Sequence, residues 1–173
     1  MNTEISYPSG GAIIRQIKQA GVRFVASVPD IVTSDGLLWP LTKDADIQLI
    51  RVCKEDEGLS ICAAMSYNNT RALMLMQQTG LMDSLNAVRA LGMDYELPLC
   101  MMVGLQGKEP HLPSSESKAY GVRIVEPVLD AMGISYNTID EPEDIDTISR
   151  HINRAYEQSA PHCFLIGRAP VYP

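Results

Sequence analysis

The chain has 173 residues, about one domain's length, with 46% hydrophobic and 20% charged residues, a globular balance that excludes a mostly disordered chain. With 14 basic against 21 acidic side chains the net charge is −7 and no Lys/Arg run appears, so the footprint of a nucleic-acid binder is missing. Met1 to Ser6 shows no basic stretch leading into an apolar one, and no run approaches the ~20 apolar residues that cross a bilayer, so neither a signal peptide nor a membrane span is expected.

Apolar runs then alternate with helical patterns along the chain. Ser9 is placed to cap a helix from Gly11 to Gln19, ended by Gly21. Arg23 to Val28 reads as a strand closed by Pro29. A helix over roughly 31–41 follows, interrupted by Gly36 and Pro40. Ile47 to Cys53 reads as the second strand, and Gln48 and Arg51 break its apolar run, which places it nearer an edge. The next helix runs from about Glu55 to Asn68, the third strand from Ala72 to Met76, and a further helix from Gly80 to Leu91, ended by Gly92. Leu97 to Val103 is the fourth strand. Gly104 to Ala119 is the one long irregular segment, and such loops are usually functional or mobile. A helix over about 122–132 has Pro127 as a kink or as its true start, and Gly133 ends it. Tyr136 to Ile139 is a weaker fifth strand. Pro142, with acids behind it, starts a helix that ends near Gln158, and Cys163 to Ile166 is the sixth strand. Continuous apolar strands alternating with helices predict an α/β domain of three layers, α/β/α, with a mostly parallel sheet of about six strands. No repeat or linker divides the chain, so 1–173 reads as a single domain.

Familiar motifs fail. The turn after the first strand, Ser27-Val28-Pro29-Asp30, carries no GxGxxG, and Gly107-Lys108 is followed by Glu109, so it is no P-loop. No GxSxG occurs. Cys53, Cys62, Cys100 and Cys163 are dispersed without a CxxC, which predicts buried, reduced thiols in a cytoplasmic protein and no zinc site. His111, His151 and His162 have no ligand spacing, so no metal is assigned to this chain. His151 reads as an ordinary solvated or half-buried histidine, while His111 stands in the long loop. Two strand-to-helix turns remain, Lys54-Glu55-Asp56-Glu57-Gly58 and Gln77-Gln78-Thr79-Gly80. Ligands gather at the carboxyl ends of parallel strands, where both turns fall. The acids equally suit a helix's first turn, and the second turn equally suits a helix cap.

Three strings carry a resemblance: Glu55-Asp56-Glu57-Gly58-Leu59-Ser60-Ile61-Cys62-Ala63-Ala64, Leu73-Met74-Leu75-Met76-Gln77-Gln78-Thr79-Gly80-Leu81, and Ser84-Leu85-Asn86-Ala87. Together they resemble the pyrimidine-binding domain of thiamine diphosphate-dependent decarboxylases. Within that family the likeness is greatest to the alpha subunit of sulfopyruvate decarboxylase and the matching half of phosphonopyruvate decarboxylase. The segments Gly21 to Asp30 and Gly121 to Ile134 extend the likeness over nearly the whole chain.

The resemblance implies the thiamine diphosphate-binding fold and a catalytic carboxyl at Glu57 that shares a proton with the cofactor's aminopyrimidine ring. The cofactor would supply the electron sink for decarboxylating a 2-oxo acid. That role requires apolar surroundings strong enough to outweigh the helix N-terminus beside Glu57. Gln78, Thr79 and Gly80 are similar to the family's turn beside the cofactor, with glycine allowing close backbone approach. Asp30 is similar to an acid on the substrate side. Lys108 and His111, with Lys118 and Arg123, are candidates for a sulfonate or phosphonate head group, and the loop from Gly104 for a lid. The family holds the diphosphate through magnesium with a Gly-Asp-Gly motif, which this chain lacks. A partner beta subunit would therefore carry Mg2+ and diphosphate, in an assembly of at least α2β2. The implied reaction is 3-sulfopyruvate to sulfoacetaldehyde and CO2, or phosphonopyruvate to phosphonoacetaldehyde. The competing reading is a non-catalytic flavodoxin-like binding or regulatory module, which explains the α/β pattern but not the joint occurrence of Glu57 and Gln78-Thr79-Gly80.

Overall fold

In the computed structural model, which describes residues 6–172, six strands form one parallel sheet: β1 (Phe24–Ser27), β2 (Gln48–Arg51), β3 (Ala72–Gln77), β4 (Cys100–Gly104), β5 (Ser135–Ile139) and β6 (His162–Ile166). Their order across the sheet is β2-β1-β3-β4-β6-β5. β3, β4 and β6 are apolar in register because both their faces are covered. Leu73 and Leu75 pack on one side, Ala72, Met74 and Met76 on the other. β2 and β5 close the two edges and are only partly buried, as Gln48 and Arg51 foretold for β2.

One face is covered by α1 (Gly10–Gln19), the turn Ser34–Leu38 with the short α2 (Trp39–Leu41), and α8 (Ile148–Gln158), through Ile13, Ile17, Leu37, Leu41, Ile148 and Ile152. The other is covered by α3 (Glu55–Tyr67), α4 (Gln78–Asp83), α5 (Leu85–Val88), α6 (Tyr120–Arg123) and α7 (Val125–Met132). The three-layer architecture is the one the sequence predicts. Ser9 caps α1, its hydroxyl accepting from the Ala12 amide at 3.3 Å.

The helices differ from expectation where backbones crowd. The helix expected over 31–41 is a π-type turn at Ser34–Leu38 leading into one turn of α2. A Cβ on Gly36 would overlap the Pro170 carbonyl, and a Cβ on Gly10 would overlap the Gly36 carbonyl. Three backbone segments therefore stack where only glycine fits. The helix expected over 80–91 breaks at Ser84, and Gly92 packs against Pro161 instead of ending a helix. The helix over 122–132 breaks at Ile124, so Pro127 sits in the first turn of α7, where its missing N–H costs nothing. The start at Pro142 is 3₁₀ through Thr147, with Asp144 accepting from the Asp140 and Glu141 amides at 2.9 Å.

Cys62, Cys100 and Cys163 are buried, and burial pushes the Cys62 and Cys100 thiols up to about 12. Cys53 departs from the expected burial. It lies just beyond the edge strand β2, where no second layer covers it, and is exposed. No helix among the described residues is long and apolar enough to cross a membrane.

Two consequences are measurable. In most helical turns Gly→Ala stabilises by about 1 kcal/mol. Gly36→Ala should instead destabilise by about 2 kcal/mol or more, because the obstacle is backbone, read as a lowered denaturant midpoint. The buried imidazole of His162 is pushed down to about 4, by burial first and then by His151 and Arg154. The unfolded chain, with a histidine near 6.5, takes up the proton first. The neutral His162 therefore contributes its full stability above about pH 6.5 and loses it as the pH falls towards 4. His162→Phe should remove roughly 2.5 kcal/mol of that acid-side loss, measured as the difference in unfolding free energy between pH 7 and 4.5.

Candidate functional site

The strand order reverses twice, and one reversal lies at β1, whose neighbours β2 and β3 are reached over opposite faces of the sheet. The carboxyl ends beside such a reversal form a crevice suited to ligands. The turns after β1, β2, β3 and β4 carry Asp30, Glu57, Gln78-Thr79-Gly80 and Lys108 respectively, so the structure gathers most of the sequence candidates at one edge.

Glu57 is in the first turn of α3 with Glu55 and Asp56. It is exposed, and its Oε2 accepts from the Cys53 amide at 2.9 Å. The apolar surroundings its expected role requires are not supplied by this chain's described residues. Glu55 does what spacing did not suggest: its carboxyl packs on Gly80, and a Cβ at position 80 would overlap it. The acidic turn and the Gln78-Thr79-Gly80 turn therefore touch. Gly58 serves packing, since a Cβ there would come within 2.5 Å of the Met74 sulfur.

Gln78 is buried and uses its whole amide internally, Nε2 donating to the Gln106 carbonyl at 3.0 Å and Oε1 accepting from the Gln106 amide at 2.9 Å. This clamp joins the end of β3 to the long loop. Thr79 is exposed, with its hydroxyl accepting from Gln77 Nε2 at 2.8 Å. Asp30 is buried and accepts from the Val32 and Thr33 amides at 2.7 and 2.9 Å and from the Thr33 hydroxyl. Its carboxylate thus holds the turn. A Cβ on Gly104 would meet Val32 Cβ at 2.8 Å and Asp30 Oδ1 at 3.0 Å, so this turn reaches the end of β4.

The loop expected to act as a lid is pinned. Lys108 pairs with Asp140 at 2.9 Å, and its side chain is only 1% exposed. Arg168 donates to the Pro110 carbonyl at 2.8 Å and pairs with Glu141 at 2.6 Å. Glu109 accepts from the Ser117 hydroxyl at 2.7 Å and the Lys118 amide at 3.1 Å, and these bonds hold its carboxyl below the usual range. Arg123 is used on the Ser117 and Lys118 carbonyls. His111 and Lys118 stay exposed. Asn86 is exposed and accepts from Arg89. Sequence reasoning missed Glu55, Gly104, Asp140 and Arg168. The latter three stand at or just past the carboxyl ends of strands, which was a usable signal.

By sequence, the chain is 28% identical over 167 residues to a sulfopyruvate decarboxylase of Methanosarcina acetivorans, covering 90% of this chain and 39% of that protein. It is 34% identical over 96 residues to sulfopyruvate decarboxylase subunit alpha of Methanococcus maripaludis, covering 56% of this chain and 57% of that subunit. The chain is homologous to sulfopyruvate decarboxylase. A third relative, the alpha subunit from Methanothermobacter thermautotrophicus, is 32% identical over 101 residues. The matches span less than two thirds of each of these sulfopyruvate decarboxylase relatives. No protein-family model matches. Among solved structures, a 2-oxoglutarate:ferredoxin oxidoreductase from Magnetococcus marinus superposes with a TM-score of 0.64 at 16% identity, covering 95% of this chain and 31% of that one, which supports the fold.

Replacing Gln78 by Leu would leave both backbone groups of Gln106 without their partner. Gln78→Leu should cost about 1–3 kcal/mol. It should also speed hydrogen exchange of the Gln106 amide, while amides in the middle of β4 keep their protection.

Proposed function

We propose that this chain is the pyrimidine-binding half of a thiamine diphosphate-dependent decarboxylase acting on 3-sulfopyruvate, completed by a partner chain. The observation that carries the proposal is the contact between two turns at the carboxyl edge, Glu55 against Gly80, which brings the acidic turn carrying Glu57 against the Gln78-Thr79-Gly80 turn. The names of its relatives, which include subunits called alpha, support both the substrate and the partner.

The donor set fits one end of the cofactor. Glu57 offers an exposed carboxyl to a ring nitrogen and the exposed Thr79 hydroxyl offers polar contact, while the space beside Gly80 is taken by Glu55. Bound there, thiamine diphosphate would supply the electron sink for loss of CO2. Glu57 would hold the proton shared with the ring, and its amide bond from Cys53 fixes the carboxylate's orientation. Among the described residues no group of three or more His, Cys, Asp or Glu side chains could hold a metal ion. Magnesium and the diphosphate therefore fall to the beta subunit in this reading, in an assembly of at least α2β2. That subunit would also cover Glu57 and supply its apolar walls. Ile31, 75% exposed directly after Asp30, gives the same edge an uncovered apolar side chain for such a partner.

For the substrate, Asp30 and Lys108 act through the loops they hold, and His111 is the exposed group that would reach an anionic head. Phosphonopyruvate is the second candidate substrate, since a phosphonate asks for the same donors.

The test is reconstitution with a partner chain bearing Gly-Asp-Gly, thiamine diphosphate and magnesium, followed by CO2 release from 3-sulfopyruvate, phosphonopyruvate and pyruvate. Turnover should be highest with 3-sulfopyruvate. Glu57→Gln should lower kcat by at least about 100-fold, with assembly and the thermal midpoint unchanged. Full activity in that variant overturns the role of Glu57.

A further inference from the structure

A second polar cluster stands at the amino end of the sheet, opposite the turns just described. A cavity of about 240 Å3 is lined there by residues of α8 and of the starts of β5 and β6. His162 opens β6, is 4% exposed, and its Nε2 has no hydrogen-bond partner among the described residues. Its Nδ1 lies 2.8 Å from the Ser135 hydroxyl, whose other neighbour is the Pro161 carbonyl at 3.4 Å. If Ser135 donates to Nδ1, Nε2 carries a proton with no acceptor. If Ser135 accepts, Nε2 is an unused lone pair that can take a proton. In either case a buried polar atom lacks its partner, which native proteins rarely leave so.

His151 of α8 stacks on His162, with ring centroids 4.9 Å apart and planes at 10°. Arg154 and Gln158 line the same cavity, as does Asn137 of β5. No Asp or Glu lines it among the described residues, although the chain as a whole carries −7. The cavity therefore presents a guanidinium, two imidazoles and two amides, with Arg154 Nε donating to Gln158 Oε1 at 3.1 Å and no carboxylate in the lining among the described residues.

We propose that this cavity binds a small oxoanion, held by Arg154 and His151, with His162 stacked behind His151. The proposal is independent of the decarboxylase reading, because none of these residues belongs to the carboxyl edge. The nearby cations act on the same two imidazoles. Burial, with Arg150 and Arg154 near His151 and with His151 and Arg154 near His162, pushes both imidazoles down. Tyr136 beside them stays a neutral phenol, raised by burial and by Glu126 and Asp130. An anion in the cavity adds the missing negative charge, so its binding and protonation of the histidine pair reinforce one another.

The test titrates inorganic phosphate, and separately sulfate, into the full chain at constant ionic strength held with chloride. The readout is the imidazole ¹H–¹⁵N signals between pH 4.5 and 7.5. Saturable shifts are expected at both His151 and His162, with the pair's apparent pKa raised by about one unit and a higher thermal midpoint. Arg154→Gln removes an exposed side chain and leaves the fold intact, and it should weaken binding about tenfold. Absence of a saturable shift at about 50 mM of either anion, well above a millimolar site, overturns the proposal. So does a response that Arg154→Gln leaves undiminished, which would place the anion elsewhere.

Discussion

Burial of β3, β4 and β6 on both faces is the constraint that the rest of the structure follows. Strands covered on both sides leave polar and charged groups nowhere to go but the two ends of the sheet. The parallel arrangement then makes those ends unlike one another. The carboxyl ends open into turns that begin helices, and there Glu55, Glu57, Gln78, Thr79 and Asp30 collect. The amino ends collect Ser135, His162 and the α8 histidine, His151, that stacks on His162.

At the carboxyl edge, side chains divide into those that hold the frame and those left free. Asp30, Gln78 and Lys108 are buried, and their hydrogen bonds go to the Thr33 turn, the Gln106 backbone and Asp140. Removing one partner of such a buried pair costs far more than the pair contributes, so these groups keep the turns in fixed positions. Glu57, Thr79 and His111 are exposed and carry little of that structural work. A rigid frame with a few free groups is what positioning a cofactor demands, since small displacements at a reacting centre are costly.

Much of this was legible in the sequence. The uninterrupted apolar runs at Ala72–Met76 and Cys163–Ile166 gave buried strands, and the polar residues Gln48 and Arg51 marked β2 as an edge. The strings around Glu57 and Gln78-Thr79-Gly80 pointed to a family whose members are similar in sequence. Helix continuity was less legible. Periodicity over 31–41 and 80–91 suits a helix, but Gly36 meets the Pro170 carbonyl and Gly92 meets Pro161, contacts between residues far apart in the chain. Cys53 looked buried because it ends an apolar run, and its exposure follows from β2 lying at the edge.

The sequence by itself determined the layer architecture, the order of elements and the residue types available for chemistry, because these follow from local periodicity and composition. Only the tertiary structure decided which of those residues are free to act. Whether Lys108 reaches a ligand depends on Asp140, and whether Gln78 does depends on Gln106, partners 32 and 28 residues away. Such pairings arise from how the strands are ordered in the sheet, and no spacing along the chain records them.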